Sequence, residues 1–119
     1  MWIFTHYGFF SVVCTKDDLM QIRARNKNHL QRLCDVFPKE LKNAEIISVE
    51  NADYAWRIIV DSAEWEAVAY QLANEIDYTN FKDDCKKCMP NDKMYLGILS
   101  RIWTLMAGYQ DDLQFKRNR

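Results

Sequence analysis

The sequence predicts a two-layer α+β domain: an antiparallel sheet of about four strands with helices on one face. Three observations predict it. Residues 9–15 are β-branched and aromatic, residues 19–25 alternate apolar with polar, and the polar turn Lys16-Asp17-Asp18 lies between them. A second strand pair, 44–50 and 54–60, flanks the turn Asn51-Ala52-Asp53. Helical stripes separate and follow these pairs. The order hairpin, helix, hairpin, helix, helix segregates helices from an antiparallel sheet, and the nearest common shape is a ferredoxin-like relative.

Residues 1–7 carry Trp2, Phe4 and Tyr7 and read as a short first strand, with Gly8 allowing a bend or bulge before the next. Side chains repeat every two residues along a strand. Phe10, Val12 and Cys14 therefore share a face, as do Met20, Ile22 and Ala24, leaving Gln21, Arg23 and Arg25 together on the opposite side. Asn26 or Asn28 can cap a helix whose Leu30, Leu33, Cys34 and Phe37 form one apolar stripe, and Pro38 ends it. Tyr54, Trp56, Ile58 and Val60 alternate with Ala55, Arg57, Ile59 and Asp61. Asp61-Ser-Ala-Glu64 has capping-box spacing and opens a helix with Trp65, Val68, Ala69, Leu72 and Ile76 on one side. Residues 77–82 form a short polar-aromatic connection or one more helical turn, and residues 83–92 read as a charged linker holding Cys85, Cys88 and Pro90. A last helix starts at Asp92 or Lys93 and runs to Ala107, with Tyr95, Leu99, Ile102, Trp103 and Met106 inward and Gly108 as its stop. These elements make one domain over 1–109, followed by a frayed basic tail over 110–119.

At 119 residues the chain has the size of one domain and can bury a core without disulfide staples. Its formal charge of −1 supplies no global field toward nucleic acid or anionic membrane, so such binding needs a local patch. No window approaches the ~18 uninterrupted apolar residues of a membrane span, and the start lacks the pattern of a signal peptide. Cys14 and Cys34 fall on core faces of a strand and a helix, where reduced cysteine acts as a small hydrophobe. A reducing, cytoplasmic setting follows.

Arg23, Arg25 and Arg57 carry the sharpest functional signal. If the two hairpins join in one sheet, all three project from one face, and guanidinium forks suit phosphate or carboxylate. Tyr54, Tyr78 and Phe81 can supply stacking surfaces at its rim. The plainer reading pairs these arginines internally with Asp53, Asp61, Asp77 or Glu50, or covers them with the last helix. Cys85-Lys-Lys-Cys88 is a single C-x-x-C without a second pair at finger-like spacing, so no metal site and no cofactor is assigned. There is no Gly-rich phosphate loop, G-x-S-x-G or H-E-x-x-H, and His6 sits among aromatics where a packed histidine is favoured over a general base, so no catalytic residue is assigned. Four Trp, six Tyr and six Phe exceed the needs of a core this size, and Trp2, Tyr7, Phe9 and Trp103 could form an exposed patch or, equally, the aromatics could close a thin two-layer core.

The opening Met-Trp-Ile-Phe-Thr-His-Tyr-Gly-Phe-Phe-Ser-Val-Val resembles the start of a family of small bacterial and phage-associated proteins with no assigned activity. Ile22-Arg-Ala-Arg25, Asp53-Tyr-Ala-Trp-Arg57, Glu75-Ile-Asp-Tyr-Thr-Asn-Phe-Lys82 and the last helix with its tryptophan are similar too, so the likeness reaches about Met106. The resemblance implies a soluble intracellular α+β protein of a bacterium or its mobile elements. Such proteins often act by binding, as inhibitors of host defence or as ligand sponges.

The expectation is thus a non-enzymatic binding protein. Arg23, Arg25 and Arg57 contact an anionic, nucleotide-like or nucleic-acid ligand, and Tyr54, Tyr78 and Phe81 stack on it. The alternative is a protein-interaction module or inhibitor that uses the aromatic patch, as a homodimer or on a host protein.

Overall fold

The alternation in the first sixty residues becomes a five-stranded antiparallel sheet in the computed structural model, which describes residues 1–15 and 17–117. Lys16 of the predicted turn, and Asn118 and Arg119 of the predicted tail, lie outside the described residues. The strands are β1 (Trp2–Thr5), β2 (Gly8–Cys14), β3 (Leu19–Ala24), β4 (Ile47–Ser48) and β5 (Trp56–Asp61). The helices are α1 (Lys27–Val36), α2 (Ser62–Asn74), α3 (Phe81–Cys88) and α4 (Lys93–Arg117). The fold is α+β. Packing groups the chain into two compact bodies, Met1–Thr79 and Asn80–Arg119. No helix among the described residues is long and apolar enough to cross a membrane.

In the first body the strand order is β1-β2-β3-β5-β4, and every pairing is antiparallel. Short connections keep β1, β2 and β3 in sequence as neighbours. A ferredoxin-like arrangement would interleave strands from the two halves of the chain; here three successive strands occupy one side, so that expectation is corrected. The register places Phe10 opposite Ile3, and Ile22 between Val12 and Ile58. Those residues, with Ala24 and Val60, face Leu30, Leu33 and Phe37 from α1 and its end, and Trp65 and Val68 of α2. Phe10, Ile22, Leu30, Leu33, Ile58 and Val68 are fully buried, each stabilising the fold by about 1.5–3 kcal/mol. Both helices pack on this side, and the opposite side of the sheet carries no helix of this body among the described residues.

Capping follows the sequence closely. The Asn26 side chain accepts from the Asn28 N–H to start α1. Asp61 accepts from the Glu64 N–H at 2.7 Å, while Glu64 accepts from the Asp61 N–H at 3.0 Å, a complete capping box. At the β1–β2 turn, Thr5 Oγ1 accepts from both the Tyr7 and Gly8 N–H groups and donates to the Gly8 carbonyl.

Several elements differ from expectation for local reasons. Cys14 ends its strand and is exposed, so it contributes nothing to the core. The predicted strand over 44–50 shrinks to Ile47–Ser48, at the sheet edge. Tyr54 precedes β5, so strand alternation does not reach it, and its ring turns to the side opposite Ile58. α2 stops at Asn74, which leaves Ile76 exposed.

In the second body, residues 83–92 are no linker. Asn80 caps α3 by accepting from the Asp83 N–H, acidic Asp83 and Asp84 occupy its first turn, and Lys86 and Lys87 its last. That charge order complements the helix dipole. α3 and α4 pack together. Asp92, just before α4, accepts from the Tyr95 N–H. The helix then continues through Gly108 to Arg117, so the predicted stop at Gly108 is not found. Gly108 does not take the left-handed φ of a terminating glycine, and a helical glycine costs only about 1 kcal/mol. Tyr95 and Leu99 are buried as expected, Ile102 is half-buried, and Trp103 and Met106 are exposed.

Candidate functional site

Strand register builds the candidate site. Trp2 pairs with Ser11, Ser11 with Arg23, Arg23 with Arg57, and Arg57 with Ile47, one row crossing all five strands. Phe4 and Phe9 pair beside this row on β1 and β2, and Gln21 and Ile59 on β3 and β5. Residues at alternate positions point the same way, so all lie on the face away from α1 and α2.

Arg23 and Arg57 stand directly opposite each other, an arrangement that costs energy for like charges. Neutral acceptors hold them. Arg23 Nη2 donates to Ser11 Oγ at 2.8 Å; Arg57 Nη1 donates to Gln21 Oε1 at 2.8 Å and Nη2 to the Tyr54 carbonyl at 3.1 Å. Arg25 Nη1 donates to the Asp53 carbonyl at 2.7 Å, while the Asp53 carboxylate accepts from the Tyr54 N–H. The Tyr54 ring underlies the cluster: the Arg23 and Arg25 guanidinium carbons lie 4.6 and 4.3 Å from its centroid. The Nε–H groups of Arg23 and Arg57 are buried without an acceptor among the described residues. No carboxylate pairs with any of the three guanidiniums among those residues, so of the plainer reading's internal partners only Asp53 is engaged, and through its main-chain carbonyl.

Of the six predicted site residues, the sheet gathers Arg23, Arg25, Arg57 and Tyr54. Tyr54 is only 4% exposed, so its ring positions guanidiniums and is not offered to a ligand. Tyr78 lies on the helix side of the sheet, where it shares a cavity of about 300 Å³ with Ile3, Ala69 and Leu72. Phe81 opens α3 in the second body. Within the first body the predicted aromatic patch also divides. Trp2 meets Phe9 edge-on at 6.2 Å, whereas Tyr7 packs against Phe37, and Trp103 belongs to α4 beneath the Lys82 ammonium. Ser11 was missed although it shares alternation with Phe9; a serine flanked by apolar residues gives no charge signal.

A second polar group formed without a sequence signal. His6 Nε2 lies 2.8 Å from Glu75 Oε2, and the Tyr7 hydroxyl donates to both Glu75 oxygens at 2.9 Å. The partners are nearly seventy residues apart, so no local spacing reveals them. The arrangement fixes the imidazole against a carboxylate beside the 300 Å³ cavity.

On α3, Cys85 is buried and its thiol is pushed up to about 12 by burial, then by the Asp84 carboxylate and Cys88. Cys88 is exposed, with Sγ 3.9 Å from Asp84 Oδ1. Burial, then Asp35, also raises the Cys34 thiol.

Fold and site together define an α+β protein with an arginine-bearing sheet face. The chain matches no protein-family model, no curated protein and no solved structure.

Proposed function

We propose that the protein is a non-enzymatic binder that holds an anionic, nucleotide-like or nucleic-acid ligand on the face bearing Arg23, Arg25 and Arg57. One observation carries the reading: two guanidiniums stand opposite each other on neighbouring strands with only neutral acceptors. Like charges so placed cost energy, and a phosphate between them converts the repulsion into charge-assisted hydrogen bonds. Within a chain of net charge −1 this local concentration of cations is a ligand-sized feature and not a field.

The test is native mass spectrometry of freshly purified protein with its ultraviolet absorbance ratio, on wild type and Arg25→Ala. Arg25 is exposed, and circular dichroism of the variant checks that its removal leaves the fold intact. An adduct absorbing near ~260 nm, as nucleobases do, that weakens in the variant supports the proposal. An adduct retained equally in Arg25→Ala rules the face out.

A second reading rests on Trp2, which is 72% exposed beside Phe9. There the protein would be an interaction module or inhibitor acting through an apolar patch, as a homodimer or on a host protein. Salt separates the two. Phosphate binding falls steeply as salt rises, whereas an apolar interface hardly responds.

A further inference from the structure

We infer that the ligand of this face is single-stranded nucleic acid, with bases on its aromatic half and phosphates on its cationic half. The inference rests on the anion-binding reading above and names the polymer that fits it. The two halves share one register. Trp2 and Ser11 on β1 and β2 continue directly into Arg23 and Arg57 on β3 and β5. Strands lie about 4.8 Å apart, so the row from Trp2 to Arg57 spans about 14 Å.

Each half has its own chemistry. On the aromatic half, Phe4 and Phe9 stack at 4.5 Å with their planes 22° apart, and Trp2 stands edge-on to Phe9 at 82°. These contacts fix the phenyl rings and leave the indole, which is 72% exposed, as a platform. On the cationic half, Tyr54 fixes the Arg23 and Arg25 guanidiniums, and Gln21 and the Tyr54 carbonyl fix Arg57. Binding therefore orders few side chains, which lowers its entropic cost.

Charge complementarity selects an anion, and the adjoining indole selects among anions. Inorganic phosphate or polyphosphate would use the arginines and leave Trp2 idle. A duplex keeps its base faces stacked inside. A single strand presents both planar bases and regularly spaced phosphates, and it is bound elsewhere by this pairing of aromatic platforms with a positive track.

The experiment measures fluorescence anisotropy of labelled short oligo(dT) and oligo(rU) with the full chain, and with Trp2→Ala, Trp2→Phe and Arg25→Ala. Unlabelled sodium polyphosphate and AMP serve as competitors, and circular dichroism checks each fold. Expected is oligonucleotide binding that polyphosphate displaces poorly. Trp2→Ala should weaken it about tenfold, Trp2→Phe should restore most of the loss, and the logarithm of affinity should fall against the logarithm of salt with a slope of about −2. The ratio of oligo(rU) to oligo(dT) affinity then tells RNA from DNA. If polyphosphate competes as well as oligonucleotide, and Trp2→Ala matches wild type while Arg25→Ala weakens binding, the polymer assignment is overturned and anion binding stands. If neither oligonucleotide nor polyphosphate binds, or Arg25→Ala changes nothing, both fall.

Discussion

Gly8→Ala should be among the most damaging single-methyl additions in this protein, and the structure says why. Gly8 begins β2 with φ +145°, a backbone region that side chains rarely adopt. Its missing Cβ leaves room for the His29 ring; an alanine methyl would lie 2.5 Å from both His29 Cβ and Nδ1. His29 cannot yield cheaply. It is buried, its ring faces Phe10, and its Nδ1 accepts the Phe9 N–H at 3.2 Å. Backbone strain costs about 1–3 kcal/mol, and orphaning the Phe9 donor about as much again, for a total of about 2–6 kcal/mol. Against a typical domain stability of about 5–15 kcal/mol, that loss is readable by urea unfolding. A cycle with His29→Ala separates the causes. In that background the methyl finds space, so the increment should shrink to the strain alone, a coupling of about 1–3 kcal/mol. Gly8→Ala within about 0.5 kcal/mol of wild type, or equal increments in both backgrounds, would refute the close-approach argument.

Two further predictions concern other elements. Cys85 holds its proton up to about 12 against an ordinary value of 9.0. The unfolded chain releases that proton first, so stability should be complete below pH 9 and decline as pH rises from 9 toward 12. Thermal melts across that range should show the decline in wild type and less of it in Cys85→Ala; equal slopes would remove Cys85 as the cause. Asp61→Ala removes one half of the α2 capping box and should cost about 1 kcal/mol in urea unfolding, and a variant indistinguishable from wild type would show that the cap is not needed.

Legibility tracked how local the determining physics was. The α2 start was readable because Asp61 and Glu64 satisfy each other across three residues. The core face of β2 and β3 was readable because alternation fixes it wherever one side is buried. Arg23 and Arg57 could be assigned to one face by parity alone, once β3 and β5 were neighbours. Their neighbour relation is a long-range pairing that periodicity does not contain. The same limit hid the His6–Glu75 contact and misdirected Tyr78. α3 failed for another reason. Cysteines and lysines look like linker, and only the Asn80–Asp83 cap spacing outweighs them. Tyr54 shows how alternation ends at the strand boundary: two residues before β5 its parity is that of the core, yet its ring lies beneath two guanidiniums.

The arginine face also makes a claim about cost. Selection for stability alone would set a carboxylate or a β-branched residue opposite Arg57, since like charges across strands destabilise by about 0.2–1 kcal/mol. An unpartnered buried Nε–H adds about 1–3 kcal/mol. Arg23→Thr removes both penalties. Its hydroxyl can replace the guanidinium as partner for Ser11, which is 1% exposed and needs one, while the contact with Tyr54 worth about 0.5–1 kcal/mol is lost. The balance favours the variant by about 1 kcal/mol in the ligand-free protein. Anion affinity should fall in the same variant, the opposing signs that mark a residue kept for binding at the expense of stability. Urea unfolding of ligand-free protein decides it. If Arg23→Thr is destabilised by more than about 1 kcal/mol, Arg23 is a structural strut, and the cross-strand pair no longer argues for a ligand.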